Sequence, residues 1–149
     1  MSEAVHPFAT ADAASHFSRM LRGEVARAPV LDLLQSHVEM VDAQAGVLRA
    51  TYEASHDFRN PAGTVQGGLL GAMLDDLTAS LVDATLKPGE AVATLSLNLS
   101  FLRPAQAGKL QGEARMLRRG RDVCHVTATL TQDGKDVATA VAVCKAVSA

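Results

Sequence analysis

The sequence predicts an α+β protein, one long apolar helix lying against a curved antiparallel sheet of five to six strands. Two observations carry this. Between Asn60 and Thr85, Leu70, Met73, Leu74, Leu77 and Leu81 recur at three- and four-residue intervals, the period of a helix with one buried stripe. From Ala91 onward the pattern changes to short apolar runs broken by turn residues, as in successive strands. With a single long helix to cover the sheet, the sheet has to curl around it to bury both apolar surfaces.

Taken in order, residues 11–22 place Ala13, Phe17, Met20 and Leu21 at helical spacing and read as a short amphipathic packing helix. Residues 1–28 therefore form an N-terminal helical extension, and residues 29–149 a single domain. Pro29 opens Val30 to Leu34, one helical turn or the entry to the first strand. Gln35 to Asp42 and Gly46 to Ala54 alternate, so a first hairpin closes around Asp42 to Gly46; Tyr52, the only tyrosine, falls on its second arm. His56 to Val65 is rich in turn residues and leads into the long helix, which Lys87-Pro88-Gly89 stops.

Beyond it, Leu95, Leu97, Leu99 and Phe101 alternate with Thr94, Ser96, Asn98 and Ser100, giving one apolar and one polar face. Pro104 ends that strand. Lys109 to Leu117 and Asp122 to Thr131 follow, parted by Arg118-Arg119-Gly120-Arg121, and Asp133-Gly134 signals a hairpin into Asp136 to Val147. Val137 to Val143 is apolar on both faces, the pattern of a strand covered on both sides. These four strands read as a consecutive meander.

Composition narrows the function classes. A chain of 149 residues suits one domain with a proper core. A net charge of −2 and only 3% aromatics, with no Trp, give no surface for nucleic acid, whether by phosphate attraction or by base stacking. Met1 to Thr10 lacks the basic start and apolar run of a signal peptide, and Leu69 to Leu86 carries three aspartates, too many for a membrane span. The expected setting is cytoplasmic, with no membrane partner. Cys124 and Cys144 lie in apolar segments without metal-ligand spacing and read as reduced core residues. His6, His16, His37 and His125 show no metal spacing either.

The chemistry-bearing residues gather at the start of the long helix. Gln66, Gly67 and Gly68 leave its first backbone N–H groups with little bulk over them, a seat for an oxygen of partial negative charge. At 100° per residue Asp75 falls off the leucine stripe, on a face shared with Gly68, Gly71, Ala72, Ala79 and Val82. That face lacks both charge and bulk, so a second subunit is the economical cover for it. Asp76 points near Ser80 and Asp83 and reads as solvated. The plainer reading is that the glycines allow close packing, Gln66 caps the helix and Asp75 bonds a neighbouring loop.

Here the chain resembles the hotdog-fold acyl-CoA thioesterases, in particular the PaaI-like branch. Their pattern is an Asn, a Gly shortly after, His-Gly-Gly, and an acidic residue nine positions beyond the His. In this chain it reads Asn60, Gly63, Gln66-Gly67-Gly68 and Asp75, with further agreement in Thr94 to Pro104 and the closing strands; the departure is Gln66 in place of His. The resemblance implies the hotdog fold over residues 29–149, a homodimer or homotetramer with sites at the subunit interface, and an acyl-CoA substrate. It also implies thioester hydrolysis without metal or organic cofactor. Asp75 would be nucleophile or general base, the N–H of Gly67 or Gly68 would polarise the carbonyl, and Gln66 and Asn60 would support the carbonyl or orient water. Thr78 and Thr94 are partners by family position. Arg118, Arg119 and Arg121, with Arg103 a weaker candidate, would hold the phosphates of coenzyme A, the alternative for at least one being a solvated hairpin tip. His56 has no role in the family pattern. Two other functions fit the same pocket: a non-catalytic acyl-CoA binding protein, and, less well without the His, a hotdog hydratase or dehydratase.

Overall fold

Hydrogen bonding joins seven strands into one sheet. The computed structural model describes residues 7–149; His6 and the first residues of the Met1 to Thr10 stretch lie outside the described residues. In chain order the elements are β1 (Phe8–Ala9), α1 (His16–Leu21), α2 (Pro29–Leu33), β2 (His37–Asp42), β3 (Val47–Ala54), a 3-10 turn (His56–Phe58), α3 (Gly67–Asp83), β4 (Glu90–Phe101), β5 (Gly108–Arg119), β6 (Val123–Gln132) and β7 (Lys135–Ser148). The six long strands pair antiparallel; two-residue β1 adds a short parallel contact to β2.

The helix forms where the apolar period placed it. Met73, Leu74, Leu77 and Leu81 are 0% exposed and Leu70 only 3%, each side chain worth about 1.5–3 kcal/mol on burial. Leu77 rests on Gly112 of β5, where an added Cβ would come within 2.5 Å of its Cδ1. The open end of Val30 to Leu34 resolves as α2, with Pro29 at its start, where its missing N–H costs nothing. At Asp133-Gly134 both residues take positive φ, 51° and 76°, the requirement of a tight hairpin turn.

The sheet departs from the expected order in one respect. β5, β6 and β7 form a meander, but β4 does not adjoin β5; it crosses the helix to pair with β7 at the far edge, while β5 returns to pair with β3. Local pattern marks strands without naming their partners, and the crossing of α3 over the sheet carries β4 to the opposite side. The outer face of the last strand is also barer than its composition implied: Val141 is 47% exposed, so its second apolar face is left partly uncovered by the described residues.

The reading of β4 as a simple alternation needs a second correction. Its register against β7 shifts between Thr94 and Ser96. Thr94 pairs with Cys144 and Leu97 with Ala142, both buried positions, so the bulge returns Thr94 to the face occupied by Leu97, Leu99 and Phe101. Leu95 is the residue displaced, 58% exposed. An odd spacing of three residues thereby places Thr94 and Leu97 on one face, toward the helix.

Candidate functional site

Gln66 is the N-cap of α3, with backbone φ −57° and ψ 132° and no capping bond from its side chain. Its N–H donates to Phe58 O at 2.8 Å and its carbonyl accepts from Leu69 N at 2.9 Å, so the main chain is held while the exposed amide is left over. The N–H groups of Gly67 and Gly68, in the first turn, have no intrahelical acceptor. The two glycines then differ. A Cβ on Gly67 would meet the Phe101 ring at 3.2 Å, whereas one on Gly68 would meet nothing within 4 Å. Gly67 is thus a packing glycine under an aromatic ring, and Gly68 keeps the helix end open.

Asn60 builds the loop in front. Its Oδ1 accepts from Ala62 N at 3.0 Å and Thr64 N at 3.2 Å, its Nδ2 donates to Thr64 Oγ1 at 3.1 Å, and its N–H donates to Thr64 O at 2.7 Å. Val65 N, next along, donates to Ala105 O at 2.8 Å. The side chain is spent on holding this turn, and Gly63 completes it with φ 83°.

Asp75 accepts from Thr94 Oγ1 at 2.9 Å on its Oδ1, at a solvent-facing margin of the helix against β4. The same hydroxyl lies 4.0 Å from Cys144 Sγ. Burial pushes the thiols of Cys144 and of Cys124, its direct cross-strand neighbour, upward. Thr78, a partner by family position, is 0% exposed and donates to Leu74 O and Asp75 O, both at 3.1 Å. Its side chain closes back on its own helix.

Asp76 corrects an expectation. Instead of facing solvent, its Oδ2 accepts from Tyr52 Oη at 2.6 Å and Ser36 Oγ at 3.3 Å, and its Oδ1 from Ser80 Oγ at 3.2 Å. Burial raises its pKa from the usual aspartate value, against the pull of those three donors. Burial also lifts the Tyr52 hydroxyl well above the usual tyrosine range, and the charge on Asp76 adds to it. A cavity of about 300 Å³ lined by Ser36, His37, Asp76 and Ser80 adjoins this group. The signal available beforehand was the lone tyrosine at an inward position of an alternating strand; a buried phenol needs an acceptor.

Arg118, Arg119 and Arg121 sit at the other end of the helix. Arg119 Nε donates to Thr85 Oγ1 at 2.9 Å, and its Nη1 reaches Gly120 O and Arg121 O. Arg119, Gly120 and Arg121 line a cavity of about 860 Å³ together with Lys87, Thr85 and Asp42. Arg118 is exposed, one strand position before them. Arg103 Nη1 donates to Asp136 O at 3.0 Å, at the start of β7. His56 is exposed in the 3-10 turn. Among the described residues no group of three or more His, Cys, Asp or Glu could hold a metal ion, and no helix is long and apolar enough to cross a membrane.

Within one chain the pieces are spread along α3. Asp75 lies eight residues beyond Gly67, about 12 Å along the axis at 1.5 Å per residue. Thr85, and with it the arginine turn, is about 15 Å farther on from Asp75.

A family model described as the acyl-CoA thioesterase N-terminal domain matches residues 54–145, from the end of β3 through most of β7. The chain is 58% identical to a phenylacetic acid degradation-related protein from Ralstonia eutropha JMP134, whose crystal structure it matches with a TM-score of 0.86 over 87% of this chain and 98% of that one. The PaaI protein of E. coli, from the phenylacetic acid degradation operon, matches with a TM-score of 0.77 at 20% identity over 89% of this chain and 95% of that one. The proofreading thioesterase EntH of Klebsiella pneumoniae is 31% identical over 78 residues, 52% of this chain and 57% of that protein. The chain spans little more than half the length of the curated relatives it matches. The likeness to the solved structures shows the hotdog fold that the Asn60 to Asp75 pattern implied.

Proposed function

The chain belongs to the acyl-CoA thioesterase family, and from that premise we propose that it hydrolyses an acyl or aryl thioester of coenzyme A to the free acid and the thiol. The observation that carries the proposal is the Asp75 carboxylate, held by Thr94 at 2.9 Å on the helix that Gly67 and Gly68 open.

A carbonyl cannot touch two groups about 12 Å apart, so a single chain does not complete this site. Two copies with their α3 helices side by side and antiparallel bring Asp75 of one chain against the Gly67–Gly68 end of the other. Support for such a homodimer, alone or within a homotetramer, comes from the exposed or half-exposed small residues Gly68, Ala72 and Ala79. The free edge of β4, with Leu95 and Phe101 exposed, adds to it.

In that arrangement the thioester oxygen sits on the N–H of Gly68, whose missing side chain leaves room for it, at the positive end of the helix. The Gln66 amide, free of capping duty, donates to the same oxygen or orients water. Thr94 fixes one carboxylate oxygen of Asp75 by donating to it, leaving the other to attack the carbonyl carbon or to take a proton from water. Asn60 acts by shaping the loop that delivers Gln66. The arginine turn stands about 15 Å from Asp75 along the same helix, a span that an extended pantetheine arm covers, and Arg119, Arg121 and Lys87 would meet the nucleotide phosphates in the adjoining cavity.

The test is thiol release from a panel of acyl-CoA thioesters by purified protein. Asp75→Asn should lower kcat by roughly two to four orders of magnitude while a non-hydrolysable thioether analogue still binds. Binding of the analogue without turnover by the unaltered protein would replace the hydrolase with an acyl-CoA binding protein.

A further inference from the structure

Asp76 takes no part in that chemistry, yet it is held by more partners than Asp75. Its three donors come from three places: Tyr52 on β3, Ser36 in the connection between α2 and β2, and Ser80 one turn along α3. Tyr52 is 1% exposed, so its ring is locked in the core and its hydroxyl has little freedom to follow a moving partner.

Successive residues of a helix stand 100° apart. The buried arc of α3 runs through Leu70, Met73, Leu74, Leu77 and Leu81; Asp75 lies at its β4 margin and Asp76 beyond the opposite one. The helix is thus pegged to the sheet on both sides of its apolar stripe. Leucine and methionine packing holds the helix against the sheet, and the bonds at its two margins add direction to that hold. A short bond between a phenol and a half-buried carboxylate is directional and strong. With the carboxylate end of a side chain about twice as far from the axis as its Cα, a rotation of about 20° moves that end by about 2 Å.

We propose that the Tyr52–Asp76 pair is a positioning device for the reaction, fixing the rotation of α3 so that Asp75 meets Thr94 and faces the thioester. This rests on the reading of Asp75 as the reacting carboxylate. Tyr52 and Asp76 touch no substrate; they act through the helix.

Tyr52→Phe removes the hydroxyl alone. It should lower kcat roughly tenfold or more at unchanged KM, because misplacement of about 1 Å is felt in the reaction step before it is felt in binding. Asp76→Asn keeps an oxygen that accepts from Tyr52 and should retain most of kcat, and adding it to Tyr52→Phe should cost little more than Tyr52→Phe alone. Asp75→Asn is measured alongside. If it is inactive while Tyr52→Phe keeps normal kcat, the positioning role is overturned and the reading of Asp75 stands. If Asp75→Asn turns over normally, that reading itself falls. Should Tyr52→Phe fail to fold, Asp76→Ala removes the same bond from the helix side. A fall in kcat at constant KM then supports the device, and an unchanged kcat overturns it.

Discussion

Asp75 and Asp76 are neighbours on α3 and bond to opposite flanks of the sheet, Asp75 to Thr94 of β4 at 2.9 Å and Asp76 to Tyr52 of β3 at 2.6 Å. The first carboxylate lies at a margin open to solvent. The second is half-buried and accepts from three hydroxyls. Identical side chains one residue apart therefore differ in what they can do.

Asp76 makes stability depend on pH in an identifiable direction. Its pKa in the folded protein is raised from the ordinary 3.8, so the folded state holds the proton more tightly than the unfolded chain does. This contribution is complete below the ordinary value and is lost as pH rises through the folded one. Unfolding free energies of the wild type and Asp76→Asn, measured from pH 3 upward, should diverge accordingly, with the wild type losing ground to the variant as pH climbs past about 4. A difference independent of pH would show that Asp76 titrates normally.

If Arg118, Arg119 and Arg121 hold the nucleotide end of coenzyme A, neutralising all three should raise KM for CoA thioesters tenfold or more, at about 1.5–3 kcal/mol for each charge-assisted bond lost. Thioesters of N-acetylcysteamine, which lack the nucleotide, should change much less. Equal changes on the two substrates would remove the arginine turn from the binding site.

Gly112 carries the contact between helix and sheet. A methyl group there would lie 2.5 Å from Leu77 Cδ1 and 2.9 Å from its Cδ2, and Leu77 is fully buried. Gly112→Ala should cost about 1–3 kcal/mol, read from urea unfolding, as overpacked cores do. At Gly68, where a Cβ meets nothing within 4 Å in one chain, alanine should leave chain stability nearly unchanged and affect turnover or assembly instead.

Assembly is tested by sedimentation. A site shared between two copies requires a dimer or larger species at micromolar concentration, and Leu95→Lys together with Phe101→Lys on the edge of β4 should shift it toward monomer and abolish turnover in parallel. A monomer with full activity would mean that one chain completes the site by itself.

Much of this was legible in the residues. The period of Leu70 to Leu81 defined the helix and its buried face, because a helix repeats every 3.6 residues whatever it packs against. Turn chemistry at Pro29, Pro88-Gly89 and Asp133-Gly134 marked where elements end, since φ preferences are local. The spacing of Asn60, Gln66-Gly67-Gly68 and Asp75 pointed to the family, and Asp75 lies on the expected margin of its helix. What only the tertiary structure decided is what depends on distant partners. β4 pairs with β7 across the helix, and a bulge at Leu95 turns Thr94 toward Asp75. Strand pairing is chosen by the whole sheet, and one inserted residue reverses every side chain after it. Helical phase placed Asp76 off the stripe, where a carboxylate ordinarily meets water; Tyr52, 24 residues earlier, was folded against it by β3 and made it a half-buried anchor. A side chain's direction follows from its own helix, but whether water or a hydroxyl waits there is settled by the packing of segments far apart in the chain.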